Sequence, residues 1–197
     1  MNPFAVVKAP LIASLLLGTA GAALAAPATY NVDPNHTYPS FAADHMGGLS
    51  VWRGKFNHTT GTVTYDKQTG AGTVDVKIDV KSINFGQEEL NQHMQAEEAF
   101  DTAKYPTATY KGKLAGFKNG APTEVDGTLE MRGVSKPLKL KINSFKCMPH
   151  PMAKKEVCGA DASGTFNRED FGLSYGKAFG FSMQVKLDIQ IEAIKAD

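Results

Sequence analysis

The stretch Phe181-Ser-Met-Gln-Val-Lys-Leu-Asp-Ile-Gln-Ile-Glu192 decides the fold class. Phe181, Met183, Val185, Leu187, Ile189 and Ile191 fall on one face; Ser182, Gln184, Lys186, Asp188, Gln190 and Glu192 fall on the other. A period of two places side chains on opposite faces of an extended chain, so this segment reads as a strand with one apolar and one solvated face.

The same alternation recurs upstream. Val74, Val76, Ile78 and Val80 alternate with Asp75, Lys77, Asp79 and Lys81. Val125, Gly127, Leu129 and Met131 alternate with Glu124, Asp126, Thr128, Glu130 and Arg132. Leu138, Leu140 and Ile142 alternate with Lys139 and Lys141 after a turn expected over residues 133–137, which makes a hairpin. Shorter candidates are 38–44, 56–66, 107–114 and 160–166. Strands with one wet face pair antiparallel, and roughly eight of them, the longest about ten residues, are expected to curl closed and remove their edges. Residues 87–99 lack Gly, Pro and β-branched residues and carry Leu90 and Met94 four apart, so a single substantial helix is expected there. A short helical turn is expected over residues 47–53. The fold class is therefore all-β with one short helix.

Residues 1–25 read as a secretory signal peptide. Lys8 precedes an apolar stretch over residues 9–24, and Ala23-Leu-Ala25 fits the small-x-small pattern cut by signal peptidase. The strongly apolar centre is about ten residues long against roughly 20 for a membrane span. Residues 26–197 then form one domain, exported from the cytoplasm. The chain carries 21 Lys and Arg against 20 Asp and Glu. With no basic run and no basic patch interleaved with aromatics, the electrostatic footprint of nucleic-acid binding is missing.

Cys147 and Cys158 are the only cysteines. In an exported chain an even count at short separation favours a disulfide. A metal site with His150 and the nearby methionines is the rival, and an oxidising compartment opposes the reduced thiols it needs.

Motifs for catalysis are sparse. There is no Gly-x-Ser-x-Gly elbow, no His-Glu-x-x-His pair and no phosphate-cradling glycine loop leading into a helix. His36, His45, His58, His93 and His150 are scattered, and each reads first as a surface or hydrogen-bonded residue. No cofactor or metal is expected. What remains is an apolar interior, formed by Phe41, Phe56, Val63, Tyr65, Ile78, Tyr110, Leu129, Met131, Phe166, Phe181 and Met183 among others. A small barrel is either filled by such side chains or holds one small ligand, and periodicity alone favours the filled core.

The order and spacing of several segments resemble the YceI-like family of bacterial periplasmic polyisoprenoid-binding proteins. These are Tyr30-Asn-Val-Asp33-Pro-Asn-His36-Thr, Phe41 with His45-Met-Gly47, Gly54-Lys-Phe56, and Gly61-Thr-Val-Thr-Tyr-Asp66. Then come Ile78 with Ser82-Ile83, His93-Met through Ala99-Phe100-Asp101, and Tyr105-Pro106. Gly127-Thr-Leu129-Glu-Met-Arg-Gly133-Val-Ser-Lys-Pro137 and Asn167-Arg168-Glu-Asp170-Phe171-Gly172 complete the set. The family usually has Ser where Thr37 stands and a residue other than Pro at position 39. Pro39 removes a ladder donor, so its strand is expected at an edge or bulged there.

The resemblance implies a lipocalin-like, eight-stranded antiparallel barrel enclosing a tunnel for an isoprenoid chain. Its lining is then expected from Phe41, Phe56, Val63, Ile78, Phe85, Leu90, Met94, Phe100, Tyr110, Leu129, Met131, Phe171, Phe181 and Met183. Polar groups at the mouth are expected from Arg53, Asn84, His93 and Arg168, with a salt bridge from Arg168 to Glu169 or Asp170 as that residue's rival role. The implied function is a non-enzymatic carrier, located in the periplasm, for a polyprenol, a polyprenyl phosphate or an isoprenoid quinone. Transient membrane contact and a homodimer are compatible with it. The alternatives are a lipid- or quinone-pathway enzyme using His36, His45 or His93, and a stress-related structural protein without ligand.

Overall fold

A computed structural model describes residues 27–197; the expected signal peptide, residues 1–25, lies outside the described residues. Eleven strands form one antiparallel sheet. In chain order they are β1 (Ala28–Val32), β2 (Tyr38–His45), β3 (Ser50–Phe56), β4 (Thr59–Asp66), β5 (Ala71–Asp79), β6 (Ile83–Asn84), β7 (Thr107–Ala115), β8 (Glu124–Met131), β9 (Val134–Pro149), β10 (Glu156–Asn167) and β11 (Gln184–Lys195). The single α-helix among the described residues, α1 (Glu88–Gln95), lies between β6 and β7.

Eight strands close on themselves in the order β1-β4-β5-β7-β8-β9-β10-β11, with β11 returning to β1 through Ala193↔Val32. The remaining strands continue the sheet at the other end of β11, where Val185–Gln190 pair with β2, β2 pairs with β3, and β3 pairs with β6. Thus β1 and β2 share one side of β11. The Asp33–His36 turn separates them, pinned by Asn35 N–H donating to Asp33 Oδ1 at 2.9 Å and by His36 Nδ1 against Asp33 Oδ2 at 2.7 Å. Thr37 mends the gap. Its hydroxyl donates to Glu192 C=O and accepts from Glu192 N–H, each at 3.2 Å, so β11 keeps its bonds where the neighbouring strand breaks. Pro39 sits opposite Ile189 of β11, one residue before the β3 ladder begins at Ser40↔Lys55, as a residue without a donor requires.

The alternation read from sequence sets the two faces of the sheet. Along β11, Lys186, Asp188 and Gln190 are exposed while Val185, Leu187 and Ile189 point inward. The outer face of β5 is Thr73, Asp75 and Lys77. This is the reverse of a membrane barrel, whose outer band is apolar. No helix among the described residues is long and apolar enough to cross a membrane.

Several expectations are corrected. Residues 47–53 do not form a helical turn: Ser50–Phe56 is β3, hydrogen-bonded to β2 through five further pairs beyond His45↔Ser50. Val51 and Trp52 favour strand, and Met46-Gly47-Gly48 all adopt positive φ to make the reversal. The stretch 56–66 is two strands broken at Asn57-His58. The hairpin turn expected over residues 133–137 is the tighter Arg132-Gly133 pair, with φ of 52° and 74°, because both central residues of such a turn need left-handed backbone. The helix ends at Gln95, not residue 99. Ala99 and Phe100 are buried instead, and the Arg132 guanidinium binds the Ala99 carbonyl, so tertiary contacts override helix propensity. Finally, β1 and the outer halves of β9 and β10 carry too few alternating apolar residues to be read from sequence.

Candidate ligand cavity

The barrel is hollow. Phe41, Phe56, Val74, Ile78, Leu187 and Ile189 face inward yet are only partly buried. The surface they retain is that of an apolar cavity of about 380 Å³, within the roughly 300–1,000 Å³ span of small-molecule sites.

One end is shut. Tyr30 and Tyr65 are both buried there, with Phe117 stacked 6.4 Å from Tyr65 and Phe145 edge-on to it at 5.3 Å. The Tyr30 hydroxyl donates to Glu156 and the Tyr65 hydroxyl to the Gly120 carbonyl. Burial, then the Glu156 hydrogen bond, raises the Tyr30 phenol well above its ordinary value; burial does the same to Tyr110, whose hydroxyl donates to Leu138 C=O at 2.9 Å. These phenols are neutral donors, not bases. Cys147 and Cys158 face each other across β9 and β10 and form a disulfide at this end. With both sulfurs bonded to each other, the adjacent Glu156 does not complete a metal site with them.

The opposite end is the mouth. The Gln87 side chain caps α1 by accepting from Leu90 N–H at 3.1 Å, and Asn91 Oδ1 accepts from Phe85 N–H at 2.7 Å, so the helix is fixed to β6. Its Leu90, His93 and Met94 reach the cavity. The wall opposite comes from the segment after β10. Asn167 Oδ1 accepts from Glu169 N–H, a short 3₁₀ turn follows, and Gly172 ends it at φ +76°. Only glycine takes that conformation without strain. The turn brings Arg168, Leu173 and Tyr175 to the cavity. Trp52 and Phe181 flank His45, each with its ring 5.0 Å from the imidazole.

Of the expected lining residues, Phe41, Phe56, Val63, Ile78, Phe85, Leu90, Met94, Phe100, Tyr110, Leu129, Met131 and Phe181 reach the cavity. Phe171 and Met183 do not line it. Phe171 packs edge-on behind Phe166 at 5.5 Å, and Met183 precedes the start of β11, where the alternation no longer dictates direction. Of the expected polar groups, His93 and Arg168 line the mouth. Arg53 is exposed on β3, and Asn84 is spent on a turn, its Oδ1 accepting from Gly86 N–H at 2.7 Å. Arg168 forms no salt bridge with Glu169, which pairs with Lys177 instead. His36 lies outside the cavity, exposed beside Asp33. Trp52 falls where the sequence leads to expect a helical turn, and Tyr175 lies in a segment without alternation. Thr37 and Thr59 are both buried in the wall, and nothing in the sequence marks Thr59.

A YceI-like domain model matches residues 30–193. The chain is 30% identical over 188 residues to a UPF0312 protein of Pectobacterium carotovorum, covering 94% of this chain and 95% of that one. It is likewise 30% identical to the protein YceI of Salmonella arizonae, covering 93% and 94%. Among solved structures, a Campylobacter jejuni YceI protein superposes with a TM-score of 0.63 at 25% identity, covering 76% of this chain and 88% of that one. A polyisoprenoid-binding domain from Saccharophagus degradans, implicated in plant cell wall breakdown, shares the fold with a TM-score of 0.60 at 18% identity, covering 85% and 98%. The chain belongs to the YceI-like family.

Proposed function

We propose that this YceI-like protein binds a long-chain isoprenoid lipid (a polyprenol, a polyprenyl phosphate or an isoprenoid quinone) in the barrel interior and carries it through the periplasm after cleavage of residues 1–25. One observation carries the reading: inward apolar side chains line a hollow rather than filling it. Burial of hydrocarbon contributes about 0.8 kcal/mol per CH₂, so a chain laid along this wall binds with few polar contacts. The structural kinship with the Saccharophagus polyisoprenoid-binding domain supports the same ligand class. The reading is of a binding protein rather than an enzyme.

Loading requires contact with a membrane, and the rim of the mouth suits it. Leu49 and Phe179 are 74% and 73% exposed, and Met46, Val51, Trp52 and Tyr175 are exposed beside them. The two loops carrying these residues touch: Gly47 lies against the Gly180 carbonyl, and Ser182 N–H donates to Asp44. Trp52 and Tyr175 belong both to this rim and to the cavity lining. The occupant of the rim is the bilayer surface, because the apolar surface is continuous with the apolar interior. Aromatic side chains with one polar end are favoured at that boundary.

Protein purified from its native periplasm, extracted with solvent and analysed by mass spectrometry, is expected to yield near-stoichiometric isoprenoid. Recovery of no lipid from protein whose fold is intact would overturn the reading.

A further inference from the structure

Three side-chain polar atoms among the described residues are shut from solvent without a hydrogen-bond partner: Thr59 Oγ1, His93 Nε2 and Arg168 Nε. All three belong to residues lining the cavity. Thr59 lies in the wall at the start of β4, while His93 and Arg168 meet at the mouth through Tyr175. The Tyr175 ring stands edge-on to His93 at 4.9 Å, and its carbonyl accepts from Arg168 Nη2 at 2.7 Å.

The guanidinium is incompletely satisfied. Nη1 donates to Leu173 C=O at 3.0 Å, and both contacts are to neutral carbonyls. No ion pair among the described residues includes Arg168. The nearest acids are engaged elsewhere: Asp44 accepts from Ser182, Gly47 and Gly48 N–H, and Glu169 holds Lys177. Burial lowers the Arg168 pKa despite the opposing pull of Asp44 and Glu169. His93 turns Nδ1 toward Glu98, 3.8 Å away, which leaves Nε2 for the cavity. A half-buried cation without a counterion, joined through Tyr175 to a ring nitrogen that in its Nε2–H form is an unused donor, is a site that lacks its acceptor.

We propose that His93 and Arg168 form the headgroup subsite of the cavity and select an amphiphile whose apolar chain ends in an anionic oxygen group, a phosphate or a carboxylate. The proposal rests on the lipid-binding reading and narrows it. A quinone carbonyl or an alcohol accepts hydrogen bonds but leaves the guanidinium charge uncompensated. An oxyanion supplies both the acceptor lone pairs and the charge.

Trp52, the single tryptophan, lines the mouth and reports binding by its fluorescence. Delipidated full-length mature protein is titrated with a polyprenyl phosphate, a polyprenol of the same length and an isoprenoid carboxylic acid of matched length. The phosphate or the acid, or both, is expected to bind about tenfold or more tightly than the alcohol; which of the two binds more tightly names the source of the oxyanion. Arg168→Gln is expected to abolish that preference, the anions losing about tenfold more affinity than the alcohol. Arg168 also holds the 173–175 segment, so His93→Leu is a second variant, with the same selective loss expected. Equal binding of alcohol and anions by the wild type, or equal losses for all three ligands in His93→Leu, would overturn the subsite and leave lipid binding standing. Binding of none of the three by the wild type would instead overturn the lipid-binding reading.

Discussion

The carboxylate of Asp44 accepts the backbone N–H of Ser182 at 2.8 Å, joining residues 138 apart in sequence. The same carboxylate accepts from Gly47 and Gly48 N–H at 3.1 and 2.6 Å. One side chain thus folds the β2–β3 reversal and ties it to the segment leading into β11, setting the width of the mouth.

Asp44→Ala is expected to speed release of bound lipid about fivefold or more, followed by stopped-flow Trp52 fluorescence. The hydrogen bond from Ser182, then those from Gly48 and Gly47, holds the Asp44 carboxyl below its ordinary range. A depressed folded-state pKa means the tie is fully made above the ordinary carboxylate value near ~4 and is lost as pH falls through the lower, folded value. Wild-type release is therefore expected to accelerate in acid, and Asp44→Ala release to lack that acceleration.

Ala162 is buried in β10 and lines the cavity. Ala162→Phe fills space the ligand would take. Lipid recovered from this variant is expected to fall to less than about a tenth of the wild-type amount, since the site no longer accepts a chain, while overpacking costs no more than about 1–3 kcal/mol. Urea titration of the delipidated variant separates loss of the site from loss of the fold.

Gly54 of β3 faces Phe41 and Phe85; a Cβ there would stand 2.6 Å from Phe41 Cζ and 3.1 Å from Phe85 Cδ1. Gly54→Val is expected to drive the Phe41 ring into the cavity. The loss is about 1–3 kcal/mol on chemical denaturation, together with weaker lipid binding in the Trp52 titration. Unchanged stability and affinity would show that the ring has room to turn away.

The Cys147–Cys158 bridge closes a short loop, with a sequence separation of 11. Its replacement by two serines is expected to cost about 3 kcal/mol in the loop-entropy model, read from urea denaturation. The β9–β10 ladder continues on both sides of the pair, so circular dichroism is expected to remain that of the folded barrel.

Glu156 accepts from Lys67 and from the Tyr30 hydroxyl, and these two bonds, in that order, hold its carboxyl below its ordinary value. Its contribution is present above the unfolded-state pKa and lost as pH falls through the folded one. Thermal melts from pH 7 to pH 3 are expected to show a shallower acid loss for Glu156→Gln than for wild type. A replacement of both Leu49 and Phe179 by Asp is expected to reduce sedimentation with lipid vesicles without changing lipid binding in detergent. Unchanged sedimentation, or a shift in oligomeric state instead, would assign the rim to another role.

Much of the barrel was legible in the sequence. Alternation along 74–81, 124–132 and 181–192 marked β5, β8 and β11 because each separates a charged outer face from an apolar inner one. The same property named most of the lining. Hollowness was not legible, since Leu187 facing a cavity and Leu187 facing another side chain have the same sequence pattern; the family resemblance had to supply it. The mouth was read only in part. His93 and Arg168 stand beside apolar residues at element ends, which is a usable signal, whereas Arg53 and Asn84 share that signal and serve the edge and a turn. Trp52 was lost with β3, whose short apolar pair lies beside two glycines.

The seam along β3 has a mechanical consequence. Only Lys55 and Phe56 pair with β6, so Ser50–Gly54 have β2 as their single ladder neighbour among the described residues. Exposed Arg53 discourages another chain from pairing with that free edge. The ring at the Tyr30 and Tyr65 end is closed by the β1–β11 pairs, whereas the wall at the mouth stops at this free edge. Under the proposed lipid-binding role, widening the wall beside that edge draws on the two β3–β6 pairs and the Asp44 tie, not on the closed ring.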